Sequence, residues 1–155
     1  GVMKIKLMLV IALVTLMSVF MSGCGSETKL GYLDAERVMN EAPQIKTIRD
    51  NIDAKNKEIE AKETDLMSKK ATMSDEEFKK AQMDIQRQYQ GLDMQYKSQV
   101  KNTMDKVLAE VSTEKELSAV VPKTLVRSNG MQVQKQEFVV QGGIDITDDV
   151  IQKLQ

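Results

Sequence analysis

The feature that most restricts the fold is the stretch from Gln44 to Val111, which has no proline and a single glycine, Gly91. Good helix formers, chiefly Lys, Glu, Gln, Met and Ala, fill this stretch. One apolar column repeats there at every seventh residue, namely Ile45, Ile52, Ile59, Leu66 and Met73. The column that starts at Ile48 continues with Lys55, Lys62 and Lys69. Because a narrow apolar column suits packing against one partner helix, with lysine stems covering its edge, the pattern predicts paired long helices.

The helical pattern restarts at ATMSDEEF, where Ser74 and Glu77 form the S-x-x-E pattern of a capping box. A second apolar stripe follows, at Phe78, Ile85, Tyr89, Leu92, Tyr96, Val100, Met104, Val107 and Val111. We therefore expect a limb over residues 44–72 to fold back antiparallel onto a limb from 75 to about 112. At about 1.5 Å per residue the limbs would be about 40 and 55 Å long. A small domain is narrower than that, so the hairpin is expected to project as an arm.

Short elements are predicted on both sides of this hairpin. Before it, KLGYLD (29–34) predicts a strand, and Asp34 is expected to cap a short helix. Pro43 either interrupts that helix or opens the next one. After it, LSAVVP, TLVR and QEFVVQ predict strands, with Asn129-Gly130 as a turn that would pair 131–140 with 124–127. The last segment, DITDDVIQKLQ, predicts a helix capped by Thr147.

The only cysteine, Cys24, follows an apolar stretch from Leu7 to Met21 that is preceded by Lys4 and Lys6. A basic start, an apolar run of this length and small residues at its end are typical of a secretory signal. The sequence Met21-Ser22-Gly23-Cys24 resembles a bacterial lipobox, which implies cleavage before a lipid-modified cysteine. We therefore expect a lipoprotein signal peptide at 1–23 and a polar tether at 24–28, with an uncleaved signal anchor or a plain cleaved signal as alternatives.

The composition argues against several function classes. The chain carries 22 basic and 23 acidic side chains, and without Lys4 and Lys6 the basic count is 20, so nucleic acid is not an expected partner. There is no histidine, which is the usual base for a thiol and the commonest zinc ligand. Adjacent carboxylates such as Asp148 and Asp149 point about 100° apart on a helix and do not converge. We expect no catalytic residue, no metal site and no cofactor, and hence no enzyme.

The expected core of the exported chain is thin, because the sequence has only three Phe, three Tyr and no Trp. The predicted fold class is α+β, with a helical-hairpin arm (44–113) inserted into a small β-rich body (29–43 and 114–155). A body made of a few short strands buries little surface by itself. The core is therefore expected to be shared between subunits.

This order of elements resembles the OmpH/Skp family of periplasmic chaperones. The resemblance covers about residues 29–155 and is carried by KLGYLDAERVMNEAP, the Lys/Gln/Met-rich hairpin, the AVV strand and DITDDVIQKL. It implies a homotrimer in which strands of three chains build one body and three arms enclose a cavity. It also implies ATP-independent holding of unfolded outer-membrane proteins, here called clients, on the periplasmic side of the cell envelope.

Two features differ from the family's pattern. Family arms are often strongly basic, whereas residues 43–113 hold 13 basic and 13 acidic side chains. Electrostatic attraction of acidic clients should therefore be weaker. The second feature is the lipobox. The best-known members of the family are soluble, whereas lipid chains on Cys24 would hold this chain at a membrane.

Client binding is expected to involve flexible apolar side chains on the arm, because a thioether adapts to partners of varied shape. The candidates are Met67, Met73, Phe78 and Met83. The alternative for Met83, Met94 and Met104 is that they only pack between the helices. Lysines near the tip could also contact anionic headgroups or client termini, although a merely solvated tip, with Asp75, Glu76 and Glu77 offsetting the charge, is the other interpretation. These lysines are Lys69, Lys70, Lys79 and Lys80.

A second hypothesis from another class is a structural adaptor. In that case the helical hairpin of this lipoprotein would bind one folded envelope partner instead of many unfolded ones. The two hypotheses differ in a simple property, because only a chaperone should keep several unrelated denatured proteins in solution.

The lipobox interpretation predicts the effect of one substitution. Cys24→Ser removes the sulfur that would carry the lipid, so metabolic lipid labelling should be lost and the protein should stay unprocessed or leave the membrane fraction. Labelling with radioactive palmitate and membrane fractionation measure both effects. Normal processing and membrane retention of Cys24→Ser would contradict the interpretation.

Overall fold

The computed structural model describes residues 28–128, 130, 132–139 and 141–155. These residues form a mixed α+β chain, as predicted. The elements in chain order are β1 (Leu30–Leu33), α1 (Ala35–Glu41), α2 (Pro43–Lys69), a 3₁₀ turn (Lys70–Thr72), α3 (Asp75–Glu114), β2 (Ala119–Pro122), β3 (Thr124–Ser128), β4 (Val133–Glu137), β5 (Ile144–Asp145) and α4 (Thr147–Lys153).

The chain divides into two compact units. One, here called the sheet unit, consists of the described residues up to Lys46 together with Val100–Gln155. The other, here called the helix-pair unit, is Thr47–Gln99. The divisions fall inside α2 and inside α3.

The sheet unit contains two small sheets. β1 is the middle strand of the first, and it pairs in parallel with β2 (Leu30 opposite Ala119) and with β5 (Gly31 opposite Ile144). β3 and β4 form an antiparallel hairpin, as the Asn-Gly turn predicted, with Ser128 opposite Val133. Parallel strands need a long crossover connection. The connection from β1 to β2 contains α1, α2 and α3.

The prediction for β4 was wrong in its position. The expected strand QEFVVQ covers residues 136–141, but β4 is Val133–Glu137 and ends before Phe138. The reason is that Glu137 lies opposite Thr124, the first residue of β3. Beyond that pair the amides of Phe138 and Val139 both donate to the carbonyl of Lys123 instead of continuing the ladder.

The core of the sheet unit is formed by apolar side chains from the strands and from all four helices. Its fully buried members include Leu33, Val38, Ile45, Val100, Val111, Val120, Ile146, Val150 and Leu154. Gly31 in the middle strand leaves room for this core, since a Cβ there would lie 2.7 Å from Cδ1 of Leu117. A larger residue at 31 would have to displace the buried Leu117 side chain.

Two of the predicted helix starts are observed, and a third position, which the sequence left open, is also a helix start. The Asp34 side chain accepts a hydrogen bond from the amide of Arg37 and caps α1. Pro43 opens α2, where its missing N–H costs nothing. The Ser74 hydroxyl accepts from the amide of Glu77, whose carboxylate accepts from the amide of Ser74, and these reciprocal bonds confirm the capping box.

The prediction that Thr147 caps the last helix was wrong. Thr147 is the first residue of α4 and is fully buried, and its amide donates to the Asp145 carboxylate at 3.0 Å. Its hydroxyl instead joins two strand ends: it accepts from the amide of Asp34 at 3.0 Å and donates to Oδ1 of Asp145 at 2.6 Å. This buried hydroxyl therefore connects the ends of β1 and β5 with the start of α4.

The charge on Asp145 is favoured by its neighbours. Partial desolvation raises the pKa of Asp145, but the hydrogen bonds from Thr147 and the positive charges of Lys123 and Arg37 outweigh it, so the pKa lies below its ordinary value. Lys123 follows β2, and its ammonium lies 4.0 Å from the Asp34 carboxylate. The carboxyl ends of all three parallel strands thus contribute to one polar network.

Replacing Thr147 tests this network. Thr147→Val keeps the shape but leaves the amide of Asp34 and the Asp145 carboxylate without the hydroxyl, which should lower the free energy of unfolding by about 1–3 kcal/mol. Thr147→Ser is the matched control, because it keeps the hydroxyl and loses only a methyl group. Urea unfolding followed by circular dichroism measures both, and a Val variant as stable as the wild type would contradict the role assigned to the hydroxyl.

Candidate functional site

The helix-pair unit is held together by matching apolar stripes on α2 and α3. Its buried centre consists of Ile59 and Leu66 from α2 and of Ile85 and Leu92 from α3. Partly buried side chains pack around it, namely Ile52, Met73, Phe78, Ala81 and Tyr89. All of these except Ala81 belong to the two predicted stripes, so the apolar stripes identified in the sequence are the ones that the structure buries.

Polar contacts between the helices accompany this packing. Lys62 Nζ donates to Gln88 Oε1 at 3.0 Å, and the hydroxyl of Tyr89 donates to Oε2 of Glu63 at 3.0 Å. Burial, together with the adjacent Glu63 carboxylate, raises the pKa of Tyr89. These contacts involve solvent-accessible side chains, so they align the two helices more than they stabilise the pair.

A second tyrosine of α3, Tyr96, is buried almost completely. Burial raises the pKa of its phenol, while the nearby Arg49 guanidinium acts in the opposite direction. Tyr96 and Arg49 lie on different helices, and so do Tyr89 and Glu63. In both cases an aromatic residue of α3 combines apolar packing with a polar group facing α2.

The turn between α2 and α3 engages two of the four lysines predicted to act at the tip. Lys69 Nζ lies 2.7 Å from the Asp65 carboxylate, and the Lys70 ammonium lies 5.1 Å from the centre of the Phe78 ring. The second distance is typical of a cation–π interaction, which is worth about 0.5–1 kcal/mol at an exposed site. Lys79 and Lys80 occupy exposed positions in the first turns of α3.

The methionines of this unit differ sharply in exposure. The exposed fractions are 53% for Met67, 47% for Met83 and 70% for Met94. Met73 is half-buried against the core of the pair, and Met104, which belongs to the sheet unit, is buried. Of the methionines that the sequence left between packing and surface contact, Met104 therefore packs, whereas Met83 and Met94 lie at the surface.

One surface groove of the helix-pair unit has a volume of about 350 Å³. Its lining combines apolar groups with carboxamides and one carboxylate, and consists of Glu63, Leu66, Met67, Gln82, Ile85, Gln86 and Tyr89. Leu66 and Ile85 belong to the buried centre, whereas Met67 is half exposed. A groove of this lining is suited to an apolar side chain of another molecule, whose neighbouring peptide groups Gln82 and Gln86 could hydrogen-bond.

Sequence reasoning left one part of this surface undecided and missed another. Met94 lies between Leu92 and Tyr96, which both belong to the buried stripe of α3. A residue two positions from a stripe member points about 200° away from it on a helix, so the spacing already indicated exposure. Gln82 and Gln86 carried no signal, because glutamine is common on solvated helix faces.

The described residues include no group of three or more His, Cys, Asp or Glu side chains placed to hold a metal ion. Over the same part of the chain, no helix combines the length and the hydropathy that a membrane crossing requires. The predicted lipidation residue, Cys24, lies outside the described residues. A comparison with protein-family models and one with curated proteins found no match to this chain.

Two adjacent residues of α2 provide a test of the site's geometry. Leu66→Ala removes a buried side chain and should lower the free energy of unfolding by about 2–4 kcal/mol. Met67→Ala should change it by no more than about 0.5 kcal/mol, because half of that side chain is in solvent. Alanine favours a helix at both positions, so urea unfolding compares packing alone. Equal losses for the two variants would show that Met67 belongs to the core.

Proposed function

We infer that this chain is an ATP-independent holdase chaperone of the cell envelope that binds unfolded envelope and outer-membrane proteins. The observation that carries the inference is the exposure of Met67, Met83 and Met94 on a helix pair whose own core is filled by other residues. These side chains are not needed to hold the pair together. They offer apolar, flexible contact groups to other molecules.

The energetics of such contacts suit transient binding. Complete burial of a methionine side chain contributes about 1.5–3 kcal/mol, and these three are already partly covered. One helix pair therefore holds a client weakly. Several pairs acting on one client would bind it much more tightly, because every contact after the first is intramolecular.

The proposed assembly is a homotrimer in which the helical hairpin is an arm inserted into a β-rich body, with three arms around a cavity. Two features support it besides the family resemblance. A two-stranded hairpin such as β3–β4 is marginal without further packing. Apolar side chains of the sheet unit are also exposed in the single chain, namely Leu30, Phe138 and Ile144. Subunit contacts would cover such groups.

The proposed location is the periplasmic side of a membrane, with the lipid on Cys24 as the anchor. We propose that the chain is not an enzyme and uses no cofactor, since holding a client requires only a binding surface. Because residues 43–113 carry equal numbers of basic and acidic side chains, capture should depend little on salt.

The central test is an aggregation assay with the chain from residue 25 onwards. At about one trimer per client, it should suppress the aggregation of several unrelated denatured β-barrel proteins. Replacing Met67, Met83 and Met94 together by Ser should weaken the suppression severalfold, since the variant keeps the helix core and loses the exposed thioethers. Light scattering during dilution from urea measures the effect.

The control replaces three exposed polar residues of the same helices, Asn51, Gln90 and Gln99, by Ser, and should behave as the wild type. Suppression of no client, combined with capture of one folded partner, would instead support the adaptor hypothesis. Sedimentation as a monomer would remove the cavity even if some suppression remained.

A further inference from the structure

We propose that Met67, Met83 and Met94 are sites of reversible oxidation to methionine sulfoxide, and that their oxidation releases clients. The modification sites follow from exposure alone. The effect on clients rests on the function proposed above. The reagent is a two-electron oxidant of the peroxide or hypochlorous acid class.

Among the described methionines, the exposed ones and the buried ones lie in different units. In the helix-pair unit Met67, Met83 and Met94 are exposed, whereas in the sheet unit Met39 and Met104 are buried. Oxidation of a thioether requires contact of the sulfur with the oxidant, so it follows exposure. The same chain thus contains reactive sites and protected internal references.

Competing oxidisable side chains are scarce. The sequence contains no tryptophan and no histidine, and Cys24 is its only cysteine. Between residues 28 and 155 the thioethers are therefore the most readily oxidised groups. An oxidant that reaches this part of the chain would act first on the exposed methionines.

The reaction balances without a cofactor. With hydrogen peroxide, the sulfur lone pair attacks one peroxide oxygen, the S–O bond forms and the O–O bond breaks. The departing hydroxide takes up the proton of the transferred oxygen and leaves as water, and the sulfur has lost two electrons. A dithiol reductase reverses the step, because the sulfoxide oxygen leaves as water while the dithiol becomes a disulfide.

Oxidation would change the polarity of this surface but would not change the fold of the helix pair. A sulfoxide is polar, so it stays solvated where the thioether would have packed against a client. Met67 lines the groove together with Leu66 and Ile85, so an oxygen there would make an apolar site partly polar. The buried centre of the helix pair contains no methionine, and its packing should persist.

The experiment treats the chain from residue 25 onwards with hydrogen peroxide. Peptide mass spectrometry should show oxidation of the three exposed methionines roughly tenfold faster than of Met39 and Met104. Circular dichroism should show unchanged helix content. Suppression of client aggregation should fall severalfold and should return after treatment with methionine sulfoxide reductases and a dithiol.

The matched variant carries Met67→Leu, Met83→Leu and Met94→Leu, which keeps apolar side chains and helix propensity but provides no thioether at these three positions. Its own suppression of aggregation before treatment is the reference, and peroxide should leave that value unchanged. Equal oxidation rates at exposed and buried methionines, or full suppression by oxidised wild-type protein, would overturn the proposal. Absence of suppression by the untreated wild type would overturn the proposed function and the release of clients, while the oxidation rates would still decide the modification sites.

Discussion

Burial of one narrow apolar stripe on α2 against another on α3 is the interaction on which the helix-pair unit depends. The buried centre of the unit takes one column from each helix, with Ile59 and Leu66 on one side and Ile85 and Leu92 on the other. Without the partner stripe these columns would face water. Long helices of this composition gain little from propensity alone, so mutual burial is what makes them stable. Because so few positions are consumed by this packing, the remaining faces are available for other contacts.

The sheet unit joins segments that are far apart in the sequence. β1 pairs with β2 across nearly ninety residues, and the buried hydroxyl of Thr147 connects the ends of β1 and β5. The start of α2 is tied to the last helix in the same way, since the amide of Gln44 donates to the carbonyl of Leu154. These long-range bonds allow a long helical insertion to begin and end within one small core.

The placement of methionine connects structure with the proposed activity. Among the residues that the structure describes, the buried methionines, Met39 and Met104, belong to the sheet unit, and the exposed ones, Met67, Met83 and Met94, belong to the helix-pair unit. An exposed thioether has two properties at once, because it is an adaptable apolar contact and an oxidisable group. Binding and its regulation would then depend on the same sulfur atoms.

The sequence by itself determined the local structure: the extent of the helices, the capping box at Ser74 and Glu77, the cap at Asp34, and the stripes that become buried. Each of these depends on residues within a few turns of one another, so spacing reveals them. Only the tertiary structure decided the parallel pairing of β1 with β2 and β5, the end of β4 at Glu137 and the buried role of Thr147. These features depend on partners many residues away, and a local pattern carries no information about which distant group will occupy the other side of a hydrogen bond or a packing contact.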